Sequence, residues 1–238
     1  MSILEKTYVF MFKNTLRAVN PVKKRIVKTE CKVHKFINEQ AVIILKNDGH
    51  DEAYRLMSRY LQAINAGVVW ADQDFKSSDH FYNPDTQRGL FGNSHARKEC
   101  RTYYKAALKE YFQGHVKRAM FYLGAACHLI QDMTVPHHAN VRLLDNHRSF
   151  EKWIINAYRN YDEYKVYEGG IYLSSLRLYI NLNSRKAINT YLKYHDIRDK
   201  ERRFYKTTSV ILSLAQRTTA GLMYKFYHDI HRISLYRM

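Results

Sequence analysis

Apolar residues recur every three or four positions along most of the chain, the period of amphipathic helices. Between Thr29 and Lys46, Val33, Phe36, Ile37, Val42 and Ile43 fall on or near one side, predicting a helix with one buried face. A second helix follows in GHDEAYRLMSRYLQAIN, where Ala53, Met57, Tyr60, Leu61 and Ile64 keep the spacing and Asp51 stands at the cap. Gly67 ends that pattern, and GVVWADQDFKSSDHFYNPDTQRGLFGN reads as an ordered loop of turn residues around a few aromatics. Periodicity resumes from Ser94 to Gln113 and breaks at Gly114. HVKRAMFYLGAACHLIQDM is the next helix, and Pro136 stops it, because proline lacks an amide donor and restricts the residue before it. Further helices are expected over Ser149–Lys165, Leu176–Tyr194 and Glu201–His231.

No internal repeat interrupts this series. With three prolines and nine glycines in 238 residues there is little material for hairpins, so the expectation is all-α: one multi-helix domain over 31–238. Residues 1–30 read as a basic N-terminal extension that is removed or poorly ordered. The formal net charge of +17 favours anionic partners, whether phospholipid surfaces, nucleic acid or phosphate-bearing substrates, without choosing among them. Cys31, Cys100 and Cys127 are widely spaced, which indicates neither a disulfide framework nor a thiolate zinc cluster; Cys127, in an apolar run, reads as core. No stretch approaches the roughly 20 apolar residues that span a bilayer. The apolar patch from Tyr8 to Phe12 is short for a secretory signal, so the chain as written reads as cytoplasmic.

The chemistry concentrates in HLIQDMTVPHH. His128 and Asp132 lie four residues apart and so share a helix face, and His147 and Glu151 repeat that geometry on the next helix. His138 lies on the connection between them, Asp72 and His80 in the upstream loop, and His34 on the first long helix. Imidazole nitrogen and carboxylate oxygen are suitable zinc ligands. A single pair at this spacing is more often a surface pair or a satisfied core group. Two pairs flanking a proline-adjacent histidine strengthen the metal reading, but spacing alone leaves both open.

The same segments resemble the bacterial zinc-dependent phospholipase C family. The resemblance is carried by FYLGAACHLIQDMTVPHH with HANV after it, HRSFE, WAD with HFYNPD, HKFINEQAVIIL and AQRTTAGLMYKFYHD, in order over roughly residues 31 to 231. It implies an all-helical domain with a zinc cluster in a cleft. In that pattern Asp72, His80, His128 and Asp132 surround one zinc, and His138, His147 and Glu151 hold a second. Asp132 also bridges to a third zinc, which His34 binds. Asp72 is implied as the residue that orients or deprotonates the attacking water. The implied reaction is hydrolysis of glycerophospholipids to diacylglycerol and a phosphorylated headgroup.

The pattern departs from the family in two places. The family completes its third zinc with an N-terminal tryptophan, whereas the only tryptophans here are Trp70 and Trp153, so two zincs are implied and the third lacks its usual donor. Gln73, Ser77 and the basic Lys23, Lys24 and Arg25 replace choline-binding features, which points toward anionic lipids. A monomer in peripheral contact with membranes is expected, acting outside the cell if it follows the family. The alternatives are a zinc-dependent nuclease or 3′-nucleotidase acting on single-stranded nucleic acid, and a non-catalytic zinc-binding relative.

Overall fold

The computed structural model describes residues 30–73, 79–90, 95–141 and 147–235, so nearly all of the expected extension lies outside the described residues. The helices are α1 (Lys32–Asn47), α2 (Asp51–Arg59), α3 (Leu61–Asp72), α4 (Ala96–Phe112), α5 (Val116–Asp132), α6 (Pro136–Ala139), α7 (His147–Ala157), α8 (Leu176–Tyr194) and α9 (Lys200–Leu235). A 3₁₀ turn, Asp162–Tyr164, follows α7. Among the described residues the only β pairing is a single bridge between Asn83 and Arg88. The all-α expectation holds.

Helix α5 is the axis of the domain. Every residue from Leu123 to Asp132 is buried, so this helix has no solvent face over its last ten positions. Met120, Leu123, Leu129 and Ile130 belong to the main core with Leu45, Ile64, Tyr179 and Phe226. Cys127 is fully buried there, as its apolar surroundings in the sequence imply. A second apolar cluster gathers Phe36, Ile37, Phe150, Ile154, Tyr164 and Leu212 from α1, α7, the 3₁₀ turn and α9. Helix α9, 36 residues long and so about 54 Å at the α-helical rise, packs along both clusters. No helix among the described residues is long and apolar enough to cross a membrane.

Five local expectations need correction. The second helix breaks at Tyr60 into α2 and α3, and His50 rather than Asp51 takes the N-cap position. The segment expected to be helical to Lys165 leaves the α-helix at Ala157. Pro136 does not stop α5, which ends at Asp132; it occupies the first turn of α6, where a missing amide is no loss. Gly67 does not end a helix either, since α3 runs through it to Asp72.

The reason for Gly67 is the crossing of α3 over α5. A Cβ on Gly67 would sit 1.8 Å from the carbonyl oxygen of Phe121, and one on Gly124 would sit 1.9 Å from that of Ile64. Two backbones therefore touch through two facing glycines, and close packing overrides their poor helix propensity, which is worth only about 1 kcal/mol against alanine. Gly124→Ala is expected to lower stability by about 3 kcal/mol, the upper end for overpacking, because the obstacle is backbone that cannot rotate away. Thermal or urea unfolding measures this, and an unchanged midpoint would show that the crossing is loose.

Candidate metal centre

The buried stretch of α5 includes His128, Gln131 and Asp132, polar groups that must find partners inside the protein. Asp132, 4% exposed, is where the imidazoles meet. His80 Nδ1 lies 2.8 Å and His128 Nε2 3.1 Å from its Oδ2, with His138 Nδ1 at 3.9 Å; His34 Nε2 is 3.5 Å from Oδ1. One carboxylate thus faces four imidazoles from four different segments.

Each imidazole is placed by its own local structure. His128 follows from the helical spacing to Asp132. His34 is in the first turn of α1, its ring 4.3 Å from that of His128. His80 begins a short segment tied to α6: the Tyr82 amide donates to the His138 carbonyl at 3.2 Å, and Phe81 stacks on the His138 ring at 4.7 Å. Asn83 then closes a turn by accepting from the amides of Asp85 and Thr86. This explains the chemistry of HFYNPD: two aromatics that dock the loop and an asparagine that turns it. His138 reaches the centre because α6 restarts the chain just beyond α5.

The electrostatics follow from burial and mutual charge. Burial opposes the charged form of Asp132, yet the imidazoles of His128 and His138 hold its carboxyl well below the usual range. His128 is desolvated, which works against protonation, but the Asp132 charge raises it above its ordinary value. His34, away from the shortest contacts, is lowered by burial and by its neighbour His128.

The residues fit a zinc site on grounds of geometry and donor type. His80 Nε2, His128 Nδ1 and Asp132 Oδ2 are buried and make no hydrogen bond among the described residues, despite the short contacts around them. His128 Nε2 and His80 Nδ1 approach to 3.2 Å, so at least one lone pair points at the other ring's nitrogen unless a proton or a cation lies between. Two overlapping donor groups, His34–His128–Asp132 and Asp72–His80–His128, each bring their ligand atoms within 4.8 Å of one another. A divalent cation with borderline-soft preferences answers that arrangement.

Of the eight residues expected from the sequence, His34, Asp72, His80, His128, Asp132 and His138 come together here. Glu151 lies in the wall of the same cleft. The side chain of His147 lies outside the described residues, as do Ser77, Lys23, Lys24 and Arg25. His137, next to His138, turns the other way and tilts against Phe150 at 6.0 Å.

Sequence reasoning missed two polar partners. Gln131 accepts from His34 Nδ1 at 2.8 Å and donates to Asn38 Oδ1 and Thr219 Oγ1, which fixes the His34 tautomer and leaves Nε2 facing Asp132. Cys31 donates from Sγ to Asp72 Oδ2 at 3.3 Å. Its thiol is pushed far up, first by burial and then by the Asp72 charge. A polar Gln131 inside an apolar helix was the available signal for the first; for the second there was only a cysteine one helical turn before His34.

The centre opens into a cavity of about 470 Å³. Its lining combines His34, Asp72, Asp132 and His138 with Ile37, Phe150, Ile154, Ile211 and Leu212, which belong to the second apolar cluster. Ile155, 47% exposed, stands at its edge. An all-helical domain with a buried His/Asp cluster lining a partly apolar cleft has the donor set of a metal-binding domain.

The comparison with known proteins narrows that class. The family described as zinc dependent phospholipase C matches residues 33–218, and the chain belongs to it. Phospholipase C of Clostridium perfringens is 27% identical over 242 aligned residues, covering 83% of this chain and 58% of that protein. Phospholipase C of Clostridium novyi is 25% identical, covering 84% and 59%. The chain therefore spans less than two thirds of the length of these relatives. Among solved structures, the alpha toxin of Clostridium absonum superposes with a TM-score of 0.73 at 22% identity, over 83% of this chain and 64% of that one. The alpha-toxin of Clostridium perfringens gives 0.71 at 24% identity, over 83% and 63%.

Proposed function

We propose that the protein is a zinc-dependent phosphodiesterase of the phospholipase C type, hydrolysing glycerophospholipids to diacylglycerol and a phosphorylated headgroup. The observation that supports it is the cleft, whose lining combines a His/Asp cluster with an apolar cluster, suited to the phosphate and the acyl-bearing glycerol of one substrate. On this reading the zinc donors are His34, Asp72, His80, His128, Asp132, His138, His147 and Glu151, holding two ions or more. When bound, zinc supplies positive charge against the phosphoryl oxygens and lowers the pKa of water at the site.

The chain's own residues do the rest. Asp72 orients the attacking water and takes its proton on a carboxylate oxygen. Ile37, Phe150 and Ile154 receive the glycerol backbone and its first methylenes and keep bulk water from the phosphate. Lys32, on the cleft wall, belongs to the +17 field that favours anionic lipid surfaces. The working form is a monomer in peripheral contact with the bilayer. For the place of action we adopt the extracellular alternative carried by family membership over the cytoplasmic expectation.

The deciding experiment assays zinc-loaded protein in parallel on mixed phospholipid vesicles and on single-stranded DNA. Diacylglycerol release without nucleotide release is the expected outcome. Nucleotide release alone would identify a nuclease, and turnover of neither with zinc bound would identify a non-catalytic relative.

The Gln131 network predicts a separate effect. Gln131→Ala should weaken zinc binding about 10–100-fold, the usual loss when the partner that orients a ligand imidazole is removed. Competition with a chromogenic chelator measures it, and an unchanged affinity would mean that His34 needs no support.

A further inference from the structure

Cys31 carries a side chain that the zinc reading leaves unused. It is the residue before α1, and its backbone lies in the left-handed region at φ 46°, ψ 43°. That conformation suits glycine or asparagine and strains cysteine. Nor does the side chain repay the strain locally, since it makes no capping hydrogen bond to the first turn of the helix. Instead Sγ lies 3.3 Å from Asp72 Oδ2, half-buried in the cleft wall that also holds His34 and Asp132. The other two cysteines are fully buried in the main core, and Cys100 Sγ is directed at the Ala126 carbonyl.

Independent of the thiol, the centre beside it has donors to spare. Among the described residues His128, 1% exposed, makes no hydrogen bond at Nδ1. Asp72 and His34 belong to the two donor groups that share His128. Cys31 touches the first of these residues, precedes the second by one helical turn, and lines the same cleft as both. Thiolate sulfur is among the preferred zinc donors, and a bound cation would supply the charge that burial and the Asp72 carboxylate withhold from the thiolate. Sulfur would also bias an otherwise nitrogen- and oxygen-based site toward zinc over calcium or magnesium.

We propose that the Cys31 thiolate is a zinc ligand on the Asp72 and His34 side of the centre, its S–H proton leaving to solvent as the metal binds. This assignment rests on the zinc reading of the site. The test loads the metal-free full-length chain with Co²⁺ and records its absorption. Expected are the d–d bands of bound cobalt together with a near-ultraviolet thiolate-to-cobalt charge-transfer band.

That band should vanish in Cys31→Ser and Cys31→Asn while the d–d bands remain, and it should persist in Cys100→Ser. Zinc affinity in both Cys31 variants should fall at least tenfold by chelator competition. Cys31→Asn guards against a folding artefact, because asparagine accepts the left-handed backbone and should be at least as stable as the parent to heat. Wild-type d–d bands without a charge-transfer band would overturn the thiolate ligand and leave the zinc centre standing. So would a charge-transfer band that survives both substitutions at Cys31. No cobalt binding at all would overturn both.

Discussion

Asp132→Ala strips the protein of zinc and of turnover. Among the described residues the Asp132 carboxylate is the one group that lies within 4 Å of His34, His80, His128 and His138 together. Without it, four imidazole-bearing segments face one another around an apolar methyl, and Asp72 is left as the one carboxylate in the two donor groups. Loss of a mere outer partner costs about 10–100-fold in metal affinity, and loss of this shared ligand is expected to exceed that range. Metal analysis after dialysis should find the variant depleted, with diacylglycerol release from vesicles falling in parallel. The main and second cores contain no part of this contact set, so the far-ultraviolet circular dichroism spectrum should remain helical. A variant that retained its full zinc content would show that Asp132 only pairs with histidines.

Asp72→Asn separates catalysis from metal binding. Asp72 ends α3 and stands in the donor group with His80 and His128, on the side of the centre facing the cleft. Asparagine keeps the size and one oxygen donor but cannot take a proton from water. Turnover is expected to fall about 10²–10⁴-fold, the usual share of a positioned general base, with half-saturation for lipid nearly unchanged. Asp72→Glu should recover part of the loss, since the carboxylate returns at a longer reach. Zinc analysis alongside the kinetics makes the test decisive. Normal zinc with turnover within about tenfold of the parent would remove Asp72 from the base role, because a true base contributes more than that.

How much of this site is legible in the sequence depends on the range of each contact. His128 and Asp132 were legible because four residues on one helix guarantee proximity, and the structure puts Nε2 and Oδ2 3.1 Å apart. The helical order was legible for the same reason, and α8 begins and ends where the periodicity predicts. Gly67 misled because its meaning lies in a carbonyl more than fifty residues away: read alone it is a helix breaker, and against Phe121 it is a space for backbone. Pro136 misled in a smaller way, since the rule that proline ends helices and the rule that it begins them differ only in where the preceding helix stops. Gln131 was invisible as a positioning residue because its partners His34, Asn38 and Thr219 come from α1 and α9.

The family assignment rested on several short motifs in order, and the family match over residues 33–218 agrees with it at 22–27% identity to the relatives named above. The headgroup preference has no comparable signal, since it depends on which aromatics and charges line the cleft.

By itself the sequence determined the period and order of the main helices, the pairing of histidine with acid on one helix face, and the family. Those are properties of near neighbours along the chain, set by backbone geometry and side-chain spacing. Only the tertiary structure decided that four imidazoles meet one carboxylate, that Gln131 holds His34, that Cys31 turns toward Asp72, and that an apolar cluster lines the same cleft. Each of these joins segments far apart in the chain. Their convergence is decided by how closely α3 and α5 pack and where α1, α6 and α9 come to rest against them, which no local pattern encodes.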